Sequence, residues 1–393
     1  MFASVLCIVS LSLLSLVPLL PVGAMPDSSG LSSAQSRLNQ AALDDILQRA
    51  APIAGVDQGC SRSSKTCDWM AKFPDSVVSL PFIFSSIKNV LGNYSDTTQA
   101  SLLRYTGPIP PAPVYRCQEH SIIQSLNEGI RVFDLRFSYN PGNDTIGFYH
   151  SLALLSPTTR MEDVFFALYD WLNKHPTEAV LVSMNYEGGG GRPEDAALYE
   201  KLYNILNTPL AKQYWVQTNG TLGTLGEARG KLTLLQRWSY RLLPSDMTAR
   251  IGIPLDPDHW TVNGKATELV YNVAKNQIAY IEDFYAINTV ALGSGQNAYI
   301  DAKFEATTAH LTNATRKDLH PDQLYISFAS AAFIDDTPPM TPHIFAVGNG
   351  TDVLGMNQRL IPWLKARKGQ RFGIIMLDFY DAVPGLVEAV IGV

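Results

Sequence analysis

Cysteine is scarce: the chain has four in 393 residues. Cys7 lies in an apolar leader, leaving Cys60, Cys67 and Cys117. That excludes a disulfide-built scaffold, and no Cys/His spacing resembles a zinc site. Cys60 with Cys67 is the local pairing and Cys67 with Cys117 the alternative; either leaves a thiol over. Basic runs are also missing, with 30 Lys and Arg against 36 Asp and Glu and a formal net charge of -6. Nucleic acid is therefore excluded as a partner, because no clustered basic footprint exists. The glycine-rich stretches 187–191 and 226–231 lack the Gly-Lys-Ser/Thr ending of a phosphate-binding loop. No repeat marks a solenoid. Histidine is absent before His120, which limits the chemistry open to the first third of the chain.

What is present begins with a leader. Residues 1–24 are almost wholly apolar up to Leu20 and close with Pro21-Val22-Gly23-Ala24, which predicts a signal peptide cleaved after Ala24. Pro18 and Pro21 interrupt the stretch, which falls short of the roughly 20 residues of a comfortable membrane span. Five Asn-x-Ser/Thr sequons, at Asn93, Asn143, Asn219, Asn313 and Asn349, agree with a secreted, extracellular glycoprotein. Residues 25–67 read as an N-terminal extension outside the main fold, and 68–393 as a single domain long enough for an α/β barrel.

Short apolar or β-branched runs at 77–84, 130–137, 179–185, 231–238, 279–284, 324–329 and 373–378 alternate with amphipathic stretches. This pattern predicts an α/β protein with a parallel sheet closed, or nearly so, into a distorted TIM-type (β/α) barrel. The clearest helix follows the second strand: Thr159 and Glu162 form a capping-box pattern, and Met161, Val164, Phe165, Leu168, Trp171 and Leu172 make one apolar stripe. Pro176 stops it, so His175 reads as a helix-end residue favoured by the helix dipole. Further helices are predicted at 193–206, 267–276, 355–367 and 384–391.

In such a barrel the loops after the strands build the active face. The strand ends carry Arg136, Asn185, Arg237, Asp283 with Tyr285, and Asp378, while His150 stands thirteen residues beyond Phe137. A guanidinium binds two phosphate oxygens at once and an imidazole passes a proton near neutral pH. Arginine, carboxylate and an aromatic wall together suit a phosphorylated polyol. The competing reading of Asp134 and Arg136 is a structural ion pair.

Taken together, several motifs resemble one family. They are Trp69-Met70, the segment 118–136 with its Gly-Ile-Arg-x-Phe-Asp-x-Arg core, Tyr149-His150, His175-Pro176-x-Glu178, Gly230-Lys231 leading into a strand, Glu282-Asp283-x-Tyr285, and the strand bearing Asp378. In content and order they resemble the phosphatidylinositol phospholipase C X-domain superfamily, most nearly its metal-independent bacterial and secreted fungal members. The resemblance implies cleavage of a phosphodiester by attack of a neighbouring hydroxyl, with no cofactor and no calcium. His150 would protonate the leaving alcohol, Arg136 would bind the phosphate and Asp378 would orient the base. Arg237, Asp283, Tyr285 and Asn185 would line the polyol pocket. The partner so implied is a phosphodiester or phospholipid head group, reached by transient contact with a membrane surface.

The first strand departs from the family pattern Gly-Thr-His-Asp/Asn-Ser, in which the histidine is the general base. Phe84 stands at that position in the register 82–86, and no shift of register restores a histidine. The lysine expected near the third strand is replaced by Asn185 or Tyr186. A general base contributes about 10² to 10⁴ in rate. The chain is therefore expected to be a weak phosphodiesterase, an enzyme with a base relocated to His120 or His259, or a catalytically inactive binder of phosphorylated polyols or lipid head groups.

Overall fold

The computed structural model describes residues 33–77, the backbone of 84–88, and residues 94–188, 194–218, 220–316, 318–319 and 324–393. The predicted signal peptide and the sequons Asn93 and Asn219 lie outside the described residues. Two compact units are present, one ending at Asp44 and one running from Asp45 to Val393; the second carries the fold.

The main fold therefore begins earlier than residue 68. The helix Ser33–Ala54 buries Ala50, Ile53 and Ala54 in the principal core, an i, i+3, i+4 stripe in its last turns. Arg49 ion-pairs with Asp163 at 2.9 Å. Cys60 and Cys67 form a disulfide, and Cys117 is a buried thiol whose Sγ–H donates to Tyr115 O at 3.4 Å.

The strands are β1 Phe84–Lys88, β2 Val132–Tyr139, β3 Ile146–His150, β4 Ala153–Leu154, β5 Val180–Tyr186, β6 Leu232–Arg237, β7 Ile253–Pro254, β8 Thr267–Asn272, β9 Gln277–Glu282, β10 Leu324–Phe328 and β11 Ile374–Leu377. They lie in the order β7-β6-β5-β2-β1-β11-β10-β9-β8. Every ladder from β7 to β9 is parallel, and β8 adds antiparallel to β9. Among the described residues no ladder joins β7 to β8. Asn272, ending β8, instead donates its Nδ2–H to Gly220 O at 2.6 Å, and Gly220 N–H donates to Gly252 O at 2.7 Å just before β7. The result is a distorted (β/α)-barrel type of fold, as expected.

Three local expectations are corrected. The first strand runs over Phe84–Lys88, so Phe84 opens it, opposite Ile374, and does not close it at the active face. Its side chain lies outside the described residues. The segment 267–276 is strand β8 and a turn, not a helix: Thr267, Leu269 and Tyr271 are buried while Glu268 and Val270 are exposed, a period of two that outweighs the apolar content. The helix Gln296–Ala314 was not predicted, because its inward face carries Lys303, Thr307 and His310. The helix after β4 does form, over Met161–Lys174, with its first helical residue one step later than the capping pattern implied. Asp163 Oδ2 accepts from Arg160 N–H at 3.3 Å, while Thr159 Oγ1 donates to Arg49 O at 3.0 Å.

Candidate active site

The segment 129–137 separates its two arginines by position. Gly129 turns the chain into β2 at φ +109°, where a Cβ would meet Thr66 Cβ at 2.8 Å. Arg131, just before β2, is fully buried between helix and sheet. Its Nε and Nη2 donate to Glu178 Oε2 at 2.9 and 2.7 Å, and its guanidinium lies 4.9 Å from the Trp171 ring centre. This pair accounts for the Gly-Ile-Arg and His-Pro-x-Glu motifs as structure. Along β2 the side chains alternate, so Asp134 and Arg136 share the face opposite to Phe133, Leu135 and Phe137.

Register then aligns the functional row. Arg136 pairs with Asn185 on β5, and Asn185 pairs with Arg237 on β6. One step back, Asp134 lies opposite Ser183, whose Oγ–H donates to Asp134 Oδ1 at 2.8 Å. Arg237 Nη1 donates to the same oxygen at 3.0 Å, and Arg136 Nε donates to Asp134 Oδ2 at 3.0 Å. The Asp134 carboxyl is fully buried. Burial would raise its pKa, but the two arginines and the Ser183 hydroxyl hold it well below the usual carboxylate range. The reading of Asp134 and Arg136 as an ion pair is therefore correct, and Arg136 faces the candidate site as well.

Arg136 Nη1 also donates to Glu187 Oε2 at 2.7 Å, and Ser151 N–H donates to Glu187 Oε1 at 2.7 Å. Burial pushes the Glu187 pKa up, and the attraction of Arg136 and His150 overcomes this, so it lies below its ordinary value. Burial lowers the pKa of Arg237, in spite of Asp134 beside it. The Arg237 guanidinium stacks 3.9 Å above the Trp260 ring, and Trp260 Nε1–H donates to Asp283 Oδ2 at 2.9 Å. Burial raises the Tyr285 phenol.

These elements enclose a cavity of about 530 Å³ lined by Arg136, His150, Asn185, Arg237, Asp283 and Tyr285, with Glu187, Trp260 and the loop 332–335. Six of the residues chosen from sequence thus share one wall-to-wall space. The β2–β3 hairpin brings His150 there: Tyr139 pairs with Ile146 and Phe137 with Phe148, so the chain folds back along β2. The His150 Nδ1 lies 2.7 Å from Tyr115 O. A carbonyl oxygen only accepts, so Nδ1 carries the proton in this contact.

Other candidates lie elsewhere. Asp378 follows β11 and is buried, its carbonyl accepting from Asn357 Nδ2 at 2.9 Å, and it is not among the described lining residues. His120 lines a separate cavity of about 820 Å³ with Glu128, Tyr380 and Asp381, its Nδ1 2.8 Å from Glu128 Oε2. His259 is exposed beside Asp256. His175 caps its helix, stacks on Trp171 and approaches Asp68 Oδ1 at 2.7 Å. Among the described residues His150 is the histidine that lines the site. Sequence reasoning missed the roles of Glu187 and Trp260. Glu187 directly follows β5, and its place among the strand-end residues gave it no role without the contact to Arg136. Trp260 carried no positional signal, because it sits in a long connection between β7 and β8.

The family model described as phosphatidylinositol-specific phospholipase C, X domain, matches residues 113–238, the segment holding Arg136, His150, Asn185 and Arg237. No curated protein sequence matches the chain. Solved structures do. A double-mutant form of the phosphatidylinositol-specific phospholipase C from Staphylococcus aureus aligns with TM-score 0.63 at 19% identity, covering 84% of this chain and 97% of that one. The corresponding protein from Listeria monocytogenes aligns with TM-score 0.57 at 19% identity, covering 83% and 97%. At that identity the structural likeness establishes the fold, and the X-domain match supplies the family signal.

Proposed function

We propose that this chain, a member of the phosphatidylinositol-specific phospholipase C-like superfamily, cleaves phosphodiesters of phosphoinositide-type lipids in the cavity of Arg136 and His150. The observation that carries the reading is the parallel register that aligns Arg136, Asn185 and Arg237 across three strands while a hairpin returns His150 to the same cavity. Arg136 and Arg237 bind the phosphoryl oxygens, and fixed donors of this kind stabilise charge developing at phosphorus. A hydroxyl of the head group attacks phosphorus, and the bond to the lipid alcohol breaks. The departing oxygen takes a proton from His150 Nε2, and the attacking hydroxyl loses its proton to solvent. The products are a cyclic phosphodiester and the lipid alcohol. With solvent as base, turnover is slow, lower by about 10² to 10⁴ than with a positioned base.

Exposed aliphatic side chains surround the mouth. Val262 and Ile334 line it, and Leu152 adjoins the lining residue Ser151. They support transient docking on a membrane surface, where such residues gain by leaving water. Among the described residues no helix is long and apolar enough to cross a membrane. The leader and the sequons support secretion; Asn143, Asn313 and Asn349 are exposed.

A second reading, a binder of phosphorylated head groups without turnover, is favoured by one observation: among the described residues no second histidine lines the cavity. Purified protein on phosphatidylinositol vesicles decides between them. Release of inositol phosphate, abolished by Arg136→Ala and by His150→Ala, supports the enzyme. Thermal stabilisation by inositol phosphates that Arg136→Ala removes, with no product at high protein concentration, supports the binder.

A further inference from the structure

His150 is held by a part of the fold with its own small core. Tyr94, Leu102, Ala112, Tyr115 and Ala153 form a cluster of buried side chains separate from the principal core. Ala153 pairs with His150 across β3 and β4, so this cluster flanks the imidazole. The helix Asp96–Thr106 supplies one side of it and the segment 108–115 the other. In that segment Pro108, Pro110, Pro111 and Pro113 fix φ and remove N–H donors. A chain so poor in donors is tied down by side chains from elsewhere. Gln99, 7% exposed, donates Nε2–H to Pro110 O at 2.7 Å, and Asp96 Oδ1 accepts from Ala112 N–H at 3.1 Å.

A short helical turn over Ala112–Val114 follows these two ties, closed by Tyr115 N–H donating to Ala112 O at 3.0 Å. The Tyr115 carbonyl comes next in the chain. It meets His150 Nδ1 at 2.7 Å and receives Cys117 Sγ–H at 3.4 Å. The Tyr115 ring meets the imidazole edge-on, with ring centres 5.6 Å apart, and Val114 and Tyr115 line the cavity beside His150. One residue thus sets the direction of the imidazole through its carbonyl and the ring plane through its side chain. The acceptor on Nδ1 is backbone, so it moves with the segment and not with a rotamer. It is as fixed as the segment that carries it.

We infer that Gln99 and Asp96 are positioning residues for His150: by anchoring the proline segment they fix the Tyr115 carbonyl, and through it the imidazole. The inference rests on the reading of His150 as proton donor given above and adds what holds that donor in place. Neither residue lines the cavity, so both act through Tyr115.

The test joins nitrogen NMR of the chain carrying isotopically labelled histidine to kinetics on phosphatidylinositol vesicles. The His150 ring signals are identified by their loss in His150→Gln. At alkaline pH the parent should show a single neutral ring form with the proton on Nδ1. Asp96→Ala, at an exposed position, and Gln99→Met, similar in size but without a donor, should turn that signal into an average over both nitrogens. Both should lower kcat roughly tenfold to 10²-fold, the scale of a small misplacement, with KM little changed. Asp96→Asn keeps an acceptor for Ala112 N–H and should stay near the parent in both measurements. A fall in kcat with the ring signal unchanged overturns the inference. Parental kcat and ring signal in Asp96→Ala and Gln99→Met, with His150→Gln inactive, overturn it and leave the phosphodiester reading intact. A parent without turnover overturns that reading instead, and persistence of the parental ring signal in both variants then overturns the inference as well.

Discussion

Arg136 Nη1 lies 2.7 Å from Glu187 Oε2, a contact between a residue within β2 and the residue just past its neighbour β5. It fixes the direction in which the guanidinium leaves the sheet. Glu187 also receives Ser151 N–H, so the same carboxylate ties the loop after His150 to Arg136.

Removing that tie should loosen both groups at once. Glu187→Ala is expected to lower kcat/KM on a phosphatidylinositol substrate roughly 10²-fold, the scale of a small misplacement of catalytic groups. Glu187→Gln, which can still accept from Ser151 N–H, should lose less. Equal losses in the two variants would show that charge alone matters. Steady-state assays beside circular dichroism separate this from misfolding.

Asp134 accepts from Arg136, Arg237 and Ser183 in a fully buried setting. Asp134→Asn leaves two arginines without their shared counter-charge and should destabilise the fold by about 3 to 5 kcal/mol in urea unfolding. Its folded pKa is depressed, so its contribution is complete above the unfolded value of about 3.9 and declines as pH falls below it. The variant should show a shallower loss of stability in that acid range than the parent.

His310 is buried against Ser327 Oγ at 2.7 Å, and burial lowers its pKa from 6.5 to about 3. The unfolded chain therefore binds a proton at this site across an interval in which the folded chain does not. Stability from this group is complete above 6.5 and is lost as pH falls toward 3. In His310→Gln the slope of unfolding free energy between pH 6 and 4 should be smaller than in the parent; an unchanged slope would discount the residue as a source of acid sensitivity.

Glu282 and Lys303 form an ion pair at 2.6 Å with both side chains fully buried. Thr307 Oγ1–H and Phe284 N–H complete the shell around the carboxylate. Lys303→Met alone should cost about 3 to 5 kcal/mol, because it strands a buried carboxylate. Combining it with Glu282→Met should recover much of that loss. A double-mutant cycle from thermal and urea unfolding measures the coupling.

The strand-helix alternation, the Gly-Ile-Arg-x-Phe-Asp-x-Arg core and the strand-end residues Arg136, Asn185, Arg237, Asp283 and Tyr285 are local in the chain. Apolar periodicity and position at the end of a run sufficed to find them and to predict the barrel class. Where periodicity misled, a stronger local pattern was at work: β8 alternates with period two, and the helix Gln296–Ala314 hides its inward face behind Lys303, Thr307 and His310, whose partners lie on strands β9 and β10. Which arginine serves the fold and which faces the cavity could not be read from sequence spacing. Arg131 and Arg136 stand five residues apart, and their roles depend on what crosses them in space, Glu178 and Trp171 for one and Asp134 with Glu187 for the other. The same holds for the placement of Phe84 at the start of its strand, set by register against β11, and for the distance of His120 from the cavity that His150 lines. Amino-acid order determined the family-like core and the kinds of side chain carried after the strands. Tertiary structure decided which charges meet, because ion pairs and cavity walls are made between strands that the chain visits far apart.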